Sequence, residues 1–303
     1  MKIKSIIKTD KLTDHVIYTD TDSIFVTTVP MMDLRYQDWS TGTADEIAVK
    51  VNEFASEMQD YLNDFYDILA PRVFNVPVDK HRLEIKKEYV AKSGIWIAKK
   101  RYAQWIISDN GVPVDKLDVK GLDVVRSSFP KAFGELMSTV LITILRSGTQ
   151  SELRDMIMEF KHSMTTLDIN DVSKNSSVKG LSKYKSDLGL FRTKKGATAH
   201  GKAAVVYNDM LVHYKTAYKY SPIKNGDKIK WAYVKNNPLG VEAVAFKGYQ
   251  DPVEITDFIK TYIDYDKIFE RELHKKLQDF YDALGWGQVV NEQKKAAAFF
   301  SFV

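Results

Sequence analysis

Asp20 and Asp22 stand two residues apart in the string Tyr18-Thr19-Asp20-Thr21-Asp22-Ser23, with β-prone runs at 15–18 and 24–29 on either side. In an extended chain alternate side chains leave the same face, so the two carboxylates start roughly 6–7 Å apart at the backbone. That is close enough to share one hard cation. Mg²⁺ takes oxygen ligands and is usually held by one or two carboxylates together with substrate phosphates, which makes the pair a candidate half-site. An Asp-rich turn built for local hydrogen bonding would use the same residues, and spacing alone leaves both readings open. Zinc is disfavoured, because the chain has no cysteine and its six histidines lack the i, i+4 pairing of a helical zinc motif.

A second chemistry is carried by the charge distribution. Net charge is only +4, yet residues 80–102 hold eight Lys/Arg against two Glu, and residues 174–202 hold eight against one Asp. Everything else sums to −9. Basic charge gathered into two segments is the footprint of a polyanion track, with a solvated surface as the alternative. The first segment closes on Lys99-Lys100-Arg101-Tyr102. The second holds Lys194 and Lys195 just ahead of Gly196 and a candidate helix, where amides could meet a phosphate, and His200 lies one turn in.

The elements that must position these residues follow from pattern. The two β-prone runs predict a hairpin with Asp20 and Asp22 at its tip. Thr43 and Glu46 form a capping-box pattern, and Ile47, Val51, Phe54, Met58, Tyr61, Phe65 and Ile68 recur at helical spacing until Pro71, which is expected to stop the helix. Strands are expected over 83–125, with a tight turn at Asn110-Gly111. The second half reads as mainly helical: 130–146, capped by Ser128 and ended by Gly148, then a helix carrying Leu153, Met156, Ile157, Phe160 and Met164 on one face, then 198–218, 252–262 and 265–284. Two short strands are expected at 228–234 and 241–246. The fold class is therefore α+β. With 44% hydrophobic residues, 15 Gly and 8 Pro among 303, the composition excludes a collagen-like or intrinsically disordered chain, and no run approaches the length of a membrane span.

The string 18–23, with apolar strands around it, closely resembles the Y-x-D-T-D-S signature of family B DNA polymerases. Lys99-Lys100-Arg101-Tyr102, about eighty residues on, resembles the KK-R-Y element with which the same family grips the primer-template duplex. Further similarities run in order: Gly121-Leu122, Ser127-Ser128, Pro130-Lys131-Ala132, Lys183-Tyr184, then Lys195-Gly196 with His200, Tyr207 and Asn208. Glu254-Ile255-Thr256-Asp257 and Asp264-Tyr265 look like the thumb of the large tailed-phage enzymes. The resemblance implies a partial palm with an antiparallel sheet and packed helices over 1–127, a mainly helical thumb over 128–287, and a flexible tail over 288–303.

By that resemblance Asp22 bridges two Mg²⁺ ions, Asp20 serves as a nearer or outer-shell partner, and Lys99, Lys100, Arg101 and Tyr102 contact duplex DNA. Lys194, Lys195 and His200 are expected on the duplex backbone. The tail, with Gln293 followed by Phe299, Phe300 and Phe302, resembles a sliding-clamp-binding peptide, although Ala296 stands where a larger aliphatic residue is usual. Only nineteen residues precede Asp20, too few for an exonuclease domain, the first palm motif with its metal-binding Asp, and the fingers. The expectation is therefore a carboxy-terminal subunit of a split DNA-directed DNA polymerase, taking primer-template DNA and dNTPs and sharing its two Mg²⁺ ions with an amino-terminal polymerase chain. It would work in the cytoplasm, that of the host cell if the chain is phage-encoded, without a membrane. The alternative is a catalytically silent module that binds DNA and sliding clamp.

Overall fold

The computed structural model describes residues 15–287 and Val289, so the candidate clamp-binding residues Gln293, Phe299, Phe300 and Phe302 lie outside the described residues. The chain divides into two compact units, Met1–Lys120 and Gly121–Val303.

In the first unit, β1 (Val16–Asp20) pairs antiparallel with β2 (Ser23–Val26), and the chain reverses through Thr21 and Asp22. The second expected strand ends sooner than its β-prone run, because Thr28 caps a helix, α1 (Val29–Arg35), with Pro30 in its first turn. Proline there loses no helical hydrogen bond and arrives with φ already set. α2 (Ala44–Val73) opens on the expected capping box, Thr43 with Glu46, which accepts from the Thr43 N–H at 2.7 Å. Pro71 does not stop it at once: the helix runs two residues further, to Val73. One buried cluster ties α1, α2 and the sheet together, made of Met31, Met32, Trp39, Val51, Phe54 and Val90.

Residues 83–88, expected to begin the sheet, form no ladder. The backbone groups of Ile85 and Lys87 are satisfied by side chains of α2 instead. Asn63 donates to Ile85 O and accepts from Ile85 N–H, at 3.0 and 2.8 Å, and Gln59 accepts from Lys87 N–H at 2.8 Å. A helix face that supplies amides removes the need for a strand partner. The sheet proper is a meander, β3 (Tyr89–Ala98), β4 (Arg101–Asp109) and β5 (Val112–Lys120), in that order. Both turns contain two residues. Asn110 and Gly111 take φ of 50° and 83°, the left-handed pair that the right-handed twist of a two-residue hairpin demands.

The second unit is built around α6 (Ala199–His213), which follows α3 (Lys131–Leu145), α4 (Gln150–Ser163) and the single turn α5 (Ile169–Val172). α6 is apolar nearly all round and buried to match, with Ala203 to Tyr207, Met210 and Leu211 enclosed. A three-stranded antiparallel sheet packs beside it: β6 (Lys174–Ser177), β7 (Lys228–Tyr233) and β8 (Ala243–Phe246). β7 and β8 match expectation. β6 does not, because Lys-Asn-Ser-Ser has no strand preference and becomes a strand only through pairing with β7. α7 (Val253–Tyr262) leads to α8 (Tyr265–Phe269), which passes through a π-helical turn, Glu270–His274, into α9 (Lys275–Ala283).

The ends of α3 also differ from expectation. Pro130, not Ser128, occupies the N-cap, and Ser147 takes the left-handed φ of 64° at the other end. Gly148 is needed for closeness rather than for φ: its N–H donates to Thr143 O at 2.8 Å, and a Cβ there would lie 2.3 Å from Thr143 Cγ2. Among the described residues no helix is long and apolar enough to cross a membrane. Replacing Phe54, wholly buried in the first unit's cluster, by Ala is expected to cost about 3–5 kcal/mol in urea unfolding of the full chain. A loss under about 1 kcal/mol would mean that this cluster is not the core of its unit.

Candidate active-site hairpin and nucleic-acid interface

The two motifs of the first unit meet at two hairpin tips. At the first, Asp20 ends β1 and faces Ser23 across the ladder, while Thr21 and Asp22 form the turn. A two-residue reversal needs a left-handed residue, and Thr21 supplies it at φ 56°, a strained choice for a β-branched side chain. The carboxylates therefore do not sit on one extended strand, as even spacing would have them. Asp20 is half-buried at the strand end and Asp22 is exposed in the turn.

At the second tip Ala98 pairs with Arg101, and residues 99 and 100 make the turn, with Lys100 left-handed at φ 60°. The tips touch. Lys100 N–H donates to the Tyr18 hydroxyl oxygen at 2.9 Å, and the Lys100 ammonium lies 3.5 Å from Asp20 Oδ1. Behind them four rings interlock: Tyr18, Phe25, Trp96 and Tyr102. Centroid separations are 5.7 Å for Tyr18–Phe25, 5.8 Å for Tyr18–Tyr102, 5.3 Å for Phe25–Tyr102 and 5.7 Å for Phe25–Trp96. Each such pair adds about 0.5–1.5 kcal/mol beyond the area it buries. Trp96 lies across Gly94, where any Cβ would come within 2.5 Å of its ring. Burial, then the nearby Asp118 carboxylate, pushes the Tyr102 phenol above its ordinary value, so it stays a neutral donor.

Asp20 and Asp22 offer hard oxygen donors, the type Mg²⁺ prefers. Among the described residues no group of three or more His, Asp or Glu side chains converges to hold a metal. Lys99 and Lys100 are exposed at the neighbouring tip, and Arg101 is half-buried beside them.

In the second unit the basic segment sorts into two groups. Lys174 is spent internally: its ammonium is 2.7 Å from the buried Glu272 of the π-helical turn and lies over the Trp231 ring. Lys202 pairs with Glu242 at 3.1 Å. Lys179, Lys183, Lys185, Arg192, Lys194 and Lys195 are all exposed. Thr198 caps α6, accepting from Gly201 N–H, and sits 3.3 Å from His200 Nε2. Tyr184 packs flat on Gly201, where a Cβ would meet its ring at 2.5 Å, which brings the 183–184 and 195–200 elements together. Burial, and then the charge of Lys174, holds His200 below its ordinary value. Asn208 is structural, clamping Ile223 through both backbone groups at 2.9 and 2.7 Å, and Tyr207 is wholly buried.

Compared with known proteins, residues 1–284 match the model of DNA polymerase family B. The chain belongs to that family. It is 26% identical over 318 aligned positions to a DNA-directed DNA polymerase of Escherichia phage RB69, and 23% identical over 302 to that of Enterobacteria phage T4. Each match takes in 95% of this chain and 32% of the relative. A DNA polymerase of Thermococcus gorgonarius is 26% identical over 160 positions, 53% of this chain and 16% of that protein. The chain thus spans about a third of the length of the phage polymerases that it matches.

Within this family B chain, the residues that sequence reasoning missed are the ones that hold the tips together: Phe25, Trp96, Gly94 and the ring of Tyr18. A glycine inside the aromatic-rich strand β3 was the available signal. Two outcomes are expected. Tyr18→Phe, which keeps the ring but removes the acceptor of Lys100 N–H, should lower stability by about 1 kcal/mol, whereas Tyr18→Ala should cost several times that in the same denaturation assay. His200 should titrate by NMR below 6.5. Because the unfolded chain then binds the extra proton more readily, His200's contribution to stability rises with pH through the window between its folded midpoint and 6.5, and falls as pH drops through it. A midpoint at or above 6.5 would overturn that account.

Proposed function

We propose that this chain supplies the carboxylate hairpin and the duplex-gripping surface of a DNA-directed DNA polymerase, with the first palm motif, fingers and exonuclease provided by a separate amino-terminal chain. The observation that carries the reading is the docking of the Asp20–Asp22 tip on the Lys99–Lys100 tip within a family B chain. In the reaction, attack of a primer 3′ hydroxyl on the α-phosphate of a dNTP needs alignment and charge neutralisation more than covalent help. Two Mg²⁺ ions, when bound, would supply a clamp on the attacking and leaving oxygens.

The chain's own residues divide the rest. Asp22 is exposed at the turn and would hold metal; Asp20, with the Lys100 ammonium 3.5 Å away, already has part of its charge offset and would act as the outer partner. Lys99, Lys100 and Arg101 would meet phosphates and minor-groove acceptors, which occur on every base pair, so the contact tests duplex shape rather than sequence. Tyr102 would offer a neutral hydroxyl. Lys194 and Lys195, with His200 behind them, would hold the duplex backbone from the thumb, and 288–303 would dock Phe299, Phe300 and Phe302 on a sliding clamp. A partner chain also fits the exposed apolar side chains of the hairpin, Val16, Ile17 and Ile24, each about half accessible. The site of action would be the host cytoplasm.

The test mixes the chain with an amino-terminal polymerase chain, primed template, dNTPs and Mg²⁺. Extension is expected only in the mixture, and Asp22→Asn should lower it by about 10²–10³-fold or more. Undiminished extension with Asp22→Asn would leave only the silent DNA- and clamp-binding module. Deleting 293–303 should reduce clamp-dependent processivity and spare short extension; equal processivity would reject the clamp assignment. Duplex affinity should fall steeply with salt, and neutralising Lys194 and Lys195 together should flatten the slope by about two.

A further inference from the structure

Between residues 184 and 194 the chain leaves the body of the second unit and returns. The excursion is braced at its base, where Lys194 N–H donates to Tyr184 O at 2.9 Å, Ser186 N–H donates to Arg192 O at 3.2 Å, and Lys185 bridges Thr193. A further tie comes from beneath: Phe191 N–H donates at 2.8 Å to the carboxylate of Asp209, which is buried on α6. Gly189 at φ 109° and Phe191 at φ 62° make the reversal tight. What this braced tip presents is leucine. Leu188 is 86% exposed and Leu190 42%.

A single exposed leucine is ordinary. One held out on a pinned tip, between exposed Lys183 and Lys185 on one limb and Arg192, Lys194 and Lys195 on the other, has a specific chemistry. Cations meet phosphates, and the apolar surface within reach between the two phosphate rows of the minor groove is its sugar-lined walls and its base steps. We propose that this loop is a duplex probe, with Leu188 seated as an apolar wedge in the minor groove of primer-template DNA while the flanking cations hold the backbones. The inference rests on the DNA-binding reading above and adds to it a contact that charge does not supply.

Salt separates the two contributions. For the full chain on a fluorescent primer-template duplex, Leu188→Ser should weaken binding about tenfold at every salt concentration and leave the slope of log affinity against log salt unchanged. Leu188→Met, which keeps an apolar side chain of similar volume, should restore most of the loss. On single-stranded DNA of the same length, which has no groove, Leu188→Ser and the unaltered chain should bind alike. Leu188 is at the surface, so unfolding midpoints should not move for either variant. Equal duplex binding by Leu188→Ser and the unaltered chain would overturn the wedge while leaving the DNA-binding reading intact. An equal loss on single strands, or a changed salt slope, would overturn it too. If the unaltered chain shows no salt-dependent duplex binding at all, the underlying reading and the wedge fall together.

Discussion

Everything the first unit can do depends on two hairpin tips being held against each other. Each tip is a two-residue turn with one left-handed, non-glycine residue, Thr21 in one and Lys100 in the other, and neither conformation is comfortable alone. The four-ring cluster of Tyr18, Phe25, Trp96 and Tyr102 supplies the offsetting contacts, and the Lys100 N–H to Tyr18 hydroxyl bond sets the alignment. Acidic and basic side chains are thereby concentrated at one place. Apart, the carboxylates would be a turn and the cations a charged surface. Together they bring two carboxylates and the Lys99–Lys100 cations to one place.

The second unit follows a different rule. Its rigid centre is α6, wrapped in apolar contacts, and polar residues close to it serve mainly to tie loops down: Asn208 holds Ile223, Asp209 holds Phe191, and Thr198 caps the helix. Lys174, which folds inward, is matched by Glu272 inside the π-helical turn, since an unmatched buried charge would be too costly. Within the basic 174–202 segment, the cations left outside lie on the 179–195 stretch. A solvated positive surface displayed by a braced loop is the form a polyanion-binding element takes.

The α+β class, the hairpin around Asp20 and Asp22, the capping box at Thr43, the Asn110-Gly111 turn, the central helix and the last helices could all be read from local pattern, because each rests on interactions within a few residues. The family also could be read, from Tyr18 to Ser23 and Lys99 to Tyr102 in order. Reading failed where partners came from afar. Residues 83–88 look like a strand, but Ile85 and Lys87 are served by the amides of Asn63 and Gln59, more than twenty residues back. β6 looks like a loop but is recruited by β7. Pro71 removes one N–H donor, yet α2 continues to Val73 and Phe74 N–H still donates to Ala70 O at 3.1 Å.

Sequence alone settled which residues carry charge and chemistry and in what order, because residue type and short-range periodicity are properties of the chain itself. Only the tertiary structure decided that the carboxylate tip and the lysine tip touch, that Lys174 and Lys202 are neutralised within the second unit, and that Leu188 is held outward. Those outcomes turn on which distant side chains come within a few ångströms of each other, a consequence of packing that no local window encodes.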